Sequence, residues 1–272
     1  MKRLLFVCLT VAGCFTAYAD TQSILDETHA VATSGQESMR AYYTRATQGD
    51  ASSAQEAYDE AHLRFDKVVS LCHSINPDVL RTTELARKYA ESMEYAQEYD
   101  LAARGYERAH QLAPRDHESA LDAARNWRRV GKFGLKEAFK LLDAVRSESN
   151  SGQAFFGILS TELGRLYHAQ GLYDLAFKHY EEALQSSNPS IDAKIGHAVL
   201  SLRRGAIDVA SAELTILGTL TPEQARFLEE ELSASLTAID DLRIPIQHHH
   251  FAYAQLLVRV GRHYDALLAA EH

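Results

Sequence analysis

Small and large side chains alternate at helical spacing along most of this chain, and the same short arrangement keeps returning. Its clearest copy runs from Gly157 to Ser190: Leu163-Gly164, Tyr167, Gly171, Tyr173, Ala176, Tyr180 and Ala183, with Pro189 closing the stretch. Thr83 to Asp116 repeats it as Tyr89-Ala90, Met93, Tyr99, Ala102, Tyr106, Ala109 and Pro114. Apolar positions three and four apart mark one face of a helix, and a glycine between two such runs marks a helix end. Small residues then sit where two helices cross closely, and large ones fill the gaps beside the crossing. The pattern predicts helix pairs over 83–116, 117–150, 157–190, 191–224 and 247–272, with Gly131, Gly171, Gly205 and Gly261 as turns between partners. No run shows the sustained alternation or hairpin dipeptides of strands. The expected fold class is all-α.

Spacing between equivalent alanines locates the irregularities. Ala102, Ala138, Ala176, Ala210 and Ala266 lie 36, 38, 34 and 56 residues apart. Extra residues at Phe133-Gly134-Leu135-Lys136 and a polar linker over Ser147–Gln153 lengthen the first two intervals. The last interval exceeds one unit by enough for an inserted helix at about 222–242. Thr221 caps it, Pro222 suits its first turn, and Gln224 completes a capping box. Upstream, 20–82 reads as an N-terminal helical region. It holds a short helix over Thr21–Thr33 and a degenerate pair over Gly35–Cys72, whose second helix runs long until Asn76-Pro77 breaks the chain.

A unit of about 34 residues with this grammar resembles the tetratricopeptide repeat (TPR). The resemblance implies a right-handed superhelical solenoid of antiparallel helix pairs, in which the first helix of each pair lines a concave groove. Binding, not chemistry, is then the expected function. In that family, positions 2, 5, 9, 12 and 13 of the first helix generally face the ligand. Carried over residue by residue, they give Arg87, Glu91, Glu94 and Tyr95, then Glu118, Arg125, Arg128 and Arg129. The later units give Arg165 and His168, Arg203, and finally His248, Phe251, Gln255 and Arg259. Six of these are arginines in the last four units, and the planar guanidinium fork suits carboxylate or phosphate. The expected ligand is an acidic peptide segment, a chain terminus or an anionic lipid head group. The competing expectation is that these arginines pair with acids on neighbouring helices as an ordinary solvated surface. The family's clamp for chaperone termini needs lysine and asparagine at defined groove positions, and position 9 here carries no asparagine.

The first 19 residues carry the marks of a secretory signal: Lys2-Arg3, a short apolar run over Leu4–Ala12, and Ala17-Tyr18-Ala19 before Asp20. The same stretch contains Val11-Ala12-Gly13-Cys14, which resembles a bacterial lipobox with Cys14 as the lipidated residue, although valine replaces the favoured leucine. Either route leads to a periplasmic or envelope-associated bacterial protein. A lipid anchor on Cys14 is then the one expected tie to the membrane. Cleavage after Ala19 leaves Cys72 as a lone cysteine, so no intramolecular disulfide forms.

Charge narrows the partner further. The whole chain has a net charge of −9, and removing the leader leaves 26 basic against 37 acidic residues, a net of −11. Nucleic-acid binding draws most of its affinity from basic patches, so it is not expected. His248-His249-His250 is the one cluster that invites a metal. Consecutive histidines on a helix point in different directions, and the expectation is no metal and no other cofactor. Phosphate loops, zinc-protease motifs and nucleophile elbows are missing from the sequence. The chain reads as an interaction scaffold, not an enzyme. The alternatives are a lipid-anchored accessory subunit of an envelope assembly or transport system, and a carrier holding a small molecule or lipid inside the superhelix.

Overall fold

The computed structural model describes residues 2–73, 75–148, 153–215 and, beyond them, 217, 220, 221, 224, 227 and 228; up to residue 20 it describes backbone alone. Every regular element among these residues is helical. They fall into two compact units divided between Ser147 and Glu148.

The first unit holds α1 (Lys2–Thr47), α2 (Ala51–Cys72), α3 (Thr83–Tyr95), α4 (Tyr99–Leu112), α5 (His117–Arg129) and α6 (Leu135–Glu148), with a single 3-10 turn at Pro77–Val79. In place of a separate short helix over Thr21–Thr33, α1 is continuous through Thr47. Nothing between Asp20 and Thr47 can stop it: the stretch has no proline, and its lone glycine, Gly35, is tolerated inside a helix. Leu25, Thr28, Ala32 and Met39 of α1 turn inward. Leu25 and Ala32 join Val68 and Cys72 of α2 and Leu85, Tyr89 and Met93 of α3 in one apolar cluster. Cys72 is a buried free thiol. Burial pushes it up to about 11, against a hydrogen bond with Thr28.

The second unit holds α7 (Gln153–Ala169), α8 (Tyr173–Leu184), α9 (Ile191–Arg203) and α10 (Ile207–Thr215). Here the core runs through Ile195, Ala198, Val199, Leu202, Ala210, Leu214 and Leu228.

The repeat grammar is visible in both units. Ala102, Ala138, Ala176 and Ala210 are fully buried; Ala266 and Gly261 lie outside the described residues. Tyr180 of α8 is wedged between two glycines. A Cβ on Gly164 of α7 would meet its ring at 2.7 Å, and one on Gly196 of α9 would meet it at 2.3 Å. Side-chain caps start four helices: Asp50, Thr82, Asp116 and Ser190 accept hydrogen bonds from the backbone amides of Ser53, Leu85, Ser119 and Ala193. Left-handed backbone joins the helices of each pair, with φ of +82° at Gly131, +74° at Gly171 and +77° at Gly205. Gln97 takes the same place between α3 and α4 with φ of +63°, although it carries a Cβ that resists this conformation.

Candidate functional site

Residues at the expected ligand positions of α3 and α5 are drawn together into a ladder of ion pairs. Arg87 reaches from α3 to Asp116 Oδ2 at 3.4 Å and Glu118 at 3.5 Å, at the start of α5, and to Glu91 one turn on at 4.0 Å. Further along, Arg129 Nη1 donates to Glu94 Oε1 at 2.5 Å, while the Tyr106 hydroxyl donates to Glu94 Oε2 at 2.9 Å. The Arg129 guanidinium also lies 5.4 Å from the Tyr99 ring centre. Arg125 donates to Asp122 at 2.8 Å within α5. The helix α1 joins this face through Lys88–Asp26 at 2.8 Å and His29–Glu91 at 3.9 Å. Tyr95 behaves differently: it packs against Met39, Ala61 and Phe65. Arg128, like these residues, is half-buried on α5.

The carboxylates in this ladder are not alike. Burial alone would raise Asp116, but the Ser119 hydroxyl (2.6 Å) and amide and the Arg87 charge outweigh it, and its pKa is lowered. Asp122 goes the other way. Burial raises it to about 6, with Glu94 and Glu118 adding to the rise and Arg125 opposing it. Nearby, Glu107 is also raised by burial, although the Trp127 indole donates to it at 2.7 Å. Trp127 thus ties helices together, the packing role its place in the repeat implies.

On the second unit the equivalent face is aromatic. Arg165 of α7 donates to Asp192 of α9 at 3.2 Å and lies 5.7 Å from the ring centre of Phe227. His168 is buried, edge-on to Tyr173 at 5.4 Å and to Phe227 at 5.7 Å. The Arg203 guanidinium lies over Tyr173, 4.3 Å from its ring centre. The Thr221 amide donates to the Gln224 side chain, and the Gln224 amide donates back to the Thr221 hydroxyl, the capping box that the spacing predicts. Gln224 then donates to Asp192 at 3.1 Å.

The structure therefore brings Arg87, Glu91, Arg125 and Arg129 together on one unit, and Arg165, His168 and Arg203 together on the other. Phe251 and Arg259 lie outside the described residues, as do His248–His250 and most of the stretch 222–242. Cys14 lies on α1, with its side chain outside them too. Sequence reasoning missed Asp122, Tyr106, Asp192 and Phe227 as parts of these faces. Asp122 alone carried a signal, standing three residues before Arg125 on one helix. No described helix is long and apolar enough to cross a membrane.

Neither a protein-family model nor a curated protein matches the sequence. Among solved structures, a thermophilic TPR protein of Thermus thermophilus is similar at 19% identity and a TM-score of 0.42, covering 75% of this chain and 98% of its own. The apo form of the quorum sensor NprR of B. thuringiensis is similar at 14% identity and a TM-score of 0.42, covering 94% of this chain and 82% of its own.

Proposed function

We propose that the chain is an exported protein-interaction scaffold that holds a segment of a partner protein on the faces built by the first helices of its pairs. One observation carries this reading. Arg87, Arg125 and Arg129 come from two different helices, yet each is held half-exposed by carboxylates of the same face. Such pairs contribute little to folding. They do fix long side chains in place, which lowers the ordering cost when a ligand arrives. A partner carboxylate can enter as Asp116 or Glu118 gives way, so the fitting partner is an acidic peptide segment or chain terminus.

Export is supported by the leader pattern. Anchoring through Cys14 is a second reading, favoured by Val11-Ala12-Gly13-Cys14. Palmitate labelling that persists in Cys14→Ser would remove it.

The main test is cross-linked capture from native envelope extract with the parent chain and an Arg87→Gln, Arg125→Gln variant of matched Tm. The expected result is a partner retained by the parent at low salt and lost by the variant. Equal capture by both would overturn the groove reading.

A further inference from the structure

The turn between α5 and α6 is longer than its counterparts. The left-handed residue and the buried alanine of the second helix stand five residues apart at Gln97–Ala102, Gly171–Ala176 and Gly205–Ala210, but seven apart at Gly131–Ala138. The Gly134 amide donates to the Gly131 carbonyl at 2.9 Å, so Lys132 and Phe133 are the two corners of a tight turn. This turn is seated directly on α5. A Cβ on Gly134 would overlap the Trp127 carbonyl oxygen, an approach that only glycine allows. The ring beside it is left in solvent: Phe133 is 91% exposed, more than any other large apolar side chain among the described residues.

A single exposed apolar residue is ordinary; the company of this one is not. Lys132, Lys136 and Lys140 follow at four-residue intervals through the turn and the start of α6, and all three are exposed. Among the described residues no ion pair engages Lys132 or Lys136. Exposed Arg104 of α4 belongs to the same neighbourhood, since Glu107, raised first by burial, is opposed by both Lys140 and Arg104. The nearby acids are engaged: Glu137 lies 3.8 Å from Lys140, and Glu107 accepts from the Trp127 indole. Cations thus surround one apolar tip in a chain whose net charge is −9.

We propose that the α5–α6 turn docks on an anionic bilayer surface. Phe133 enters the boundary between head groups and acyl chains, while Lys132, Lys136 and Lys140 meet lipid phosphates. One ring at the corner of a turn is too small for the packed apolar centre of a protein interface, whereas a fluid interface closes around it. Lysine, in a chain where arginine is the commoner cation, supplies the charge at the tip. Its compact ammonium meets a phosphate as a point charge, without the fixed fork of a specific carboxylate pair. Such docking is reversible and becomes stable only beside a second tie to the membrane.

The test is co-sedimentation of the full chain with phosphatidylcholine vesicles containing about 30% phosphatidylglycerol, at low salt. Each lysine near such a surface strengthens binding about fivefold, so Lys132→Gln with Lys136→Gln should weaken it about 25-fold. Phe133→Ala should weaken it at least tenfold. These side chains are exposed, so the variants should keep the parent's Tm. Binding should vanish on pure phosphatidylcholine and at about 0.5 M NaCl. Association through the apolar leader alone would leave position 133 in water. Phe133→Trp therefore gives a local readout: chain-brominated lipid should quench it well beyond Trp127, the parent's sole tryptophan. Equal sedimentation of parent and Phe133→Ala, or no added quenching, overturns the proposal. Absence of binding by the parent overturns it too and leaves the patch to an acidic protein surface. Capture through Arg87 and Arg125 uses none of these residues, so either reading can fail without the other.

Discussion

The helices α5 and α9 occupy the same place in their repeats and finish in opposite surroundings. On α5, Ser119, Ala120, Leu121, Ala123, Ala124 and Asn126 are buried, and the charged residues between them remain half-exposed. On α9 every residue from Ile195 through Leu202 is buried. The difference follows from what covers them. Arg125 on α5 pairs with Asp122 of its own helix, whereas α9 packs against Leu217, Leu220, Phe227 and Leu228. A shared repeat grammar therefore specifies where a helix packs against its partner, and leaves its outer face to be written by whatever comes next.

The sharpest break in this comparison is expected at the glycine crossings of the second unit. In Gly196→Ala the new Cβ would lie 2.3 Å from the Tyr180 ring, which Gly164 already confines from the other side. The expected cost is about 3 kcal/mol, read by urea unfolding, with partial recovery when Tyr180→Leu is added. A loss below about 0.5 kcal/mol would mean that the wedge is loose.

A pH effect comes next, confined to the first unit. Burial raises Asp122 to about 6 from the ordinary carboxylate value of 3.8, in a setting shared with Arg125, Glu94 and Glu118. Between those values the folded protein keeps a proton that the unfolded chain releases. Stability therefore falls as pH rises through the window, by about 3 kcal/mol in all. Asp122→Asn should flatten that slope in unfolding curves taken from pH 4 to 6.5, and a slope that persists assigns the proton to another group.

Ion pairs sharpen the contrast at smaller scale. A double-mutant cycle on Glu94 and Arg129, whose side chains are 27% and 24% exposed, should give about 1 kcal/mol of coupling. The same cycle on Asp174 and Arg204, where Asp174 is 96% exposed, should give roughly 0.3 kcal/mol or less. Equal couplings would refute the idea that the ladder differs from ordinary surface pairs. Last, Gln97→Gly should raise stability by about 1 kcal/mol by relieving the left-handed turn. The same turn in the second unit, Gly171, should lose a similar amount on substitution by alanine.

Much of the helix plan was legible because it is local. The boundaries of α3 through α10 follow from cap residues, turn glycines and the spacing of alanines, all of which act within a few residues of one another. The continuity of α1 departs from the expected break near Gly35: no proline separates 21–33 from 35–47, and Leu25, Ala32 and Met39 of this one helix pack against α2 and α3. The candidate site was legible as a set of positions and not as an environment. Arg87, Arg125 and Arg165 look alike as letters, yet their partners Asp116, Asp122 and Asp192 differ in burial and neighbours.

By itself, then, the sequence determined the all-α class, the succession of helices from Thr83 to Thr215 and the small-to-large crossings among them, because propensity, capping and i, i+4 packing are encoded at short range. Only the tertiary structure decided that Asp122 titrates high, that the arginines of α3 and α5 stand in a ladder, and that Phe227 covers Arg165. Those outcomes depend on groups 28 to 62 residues apart meeting in low-dielectric surroundings, where burial and neighbouring charge, not spacing along the chain, set the chemistry.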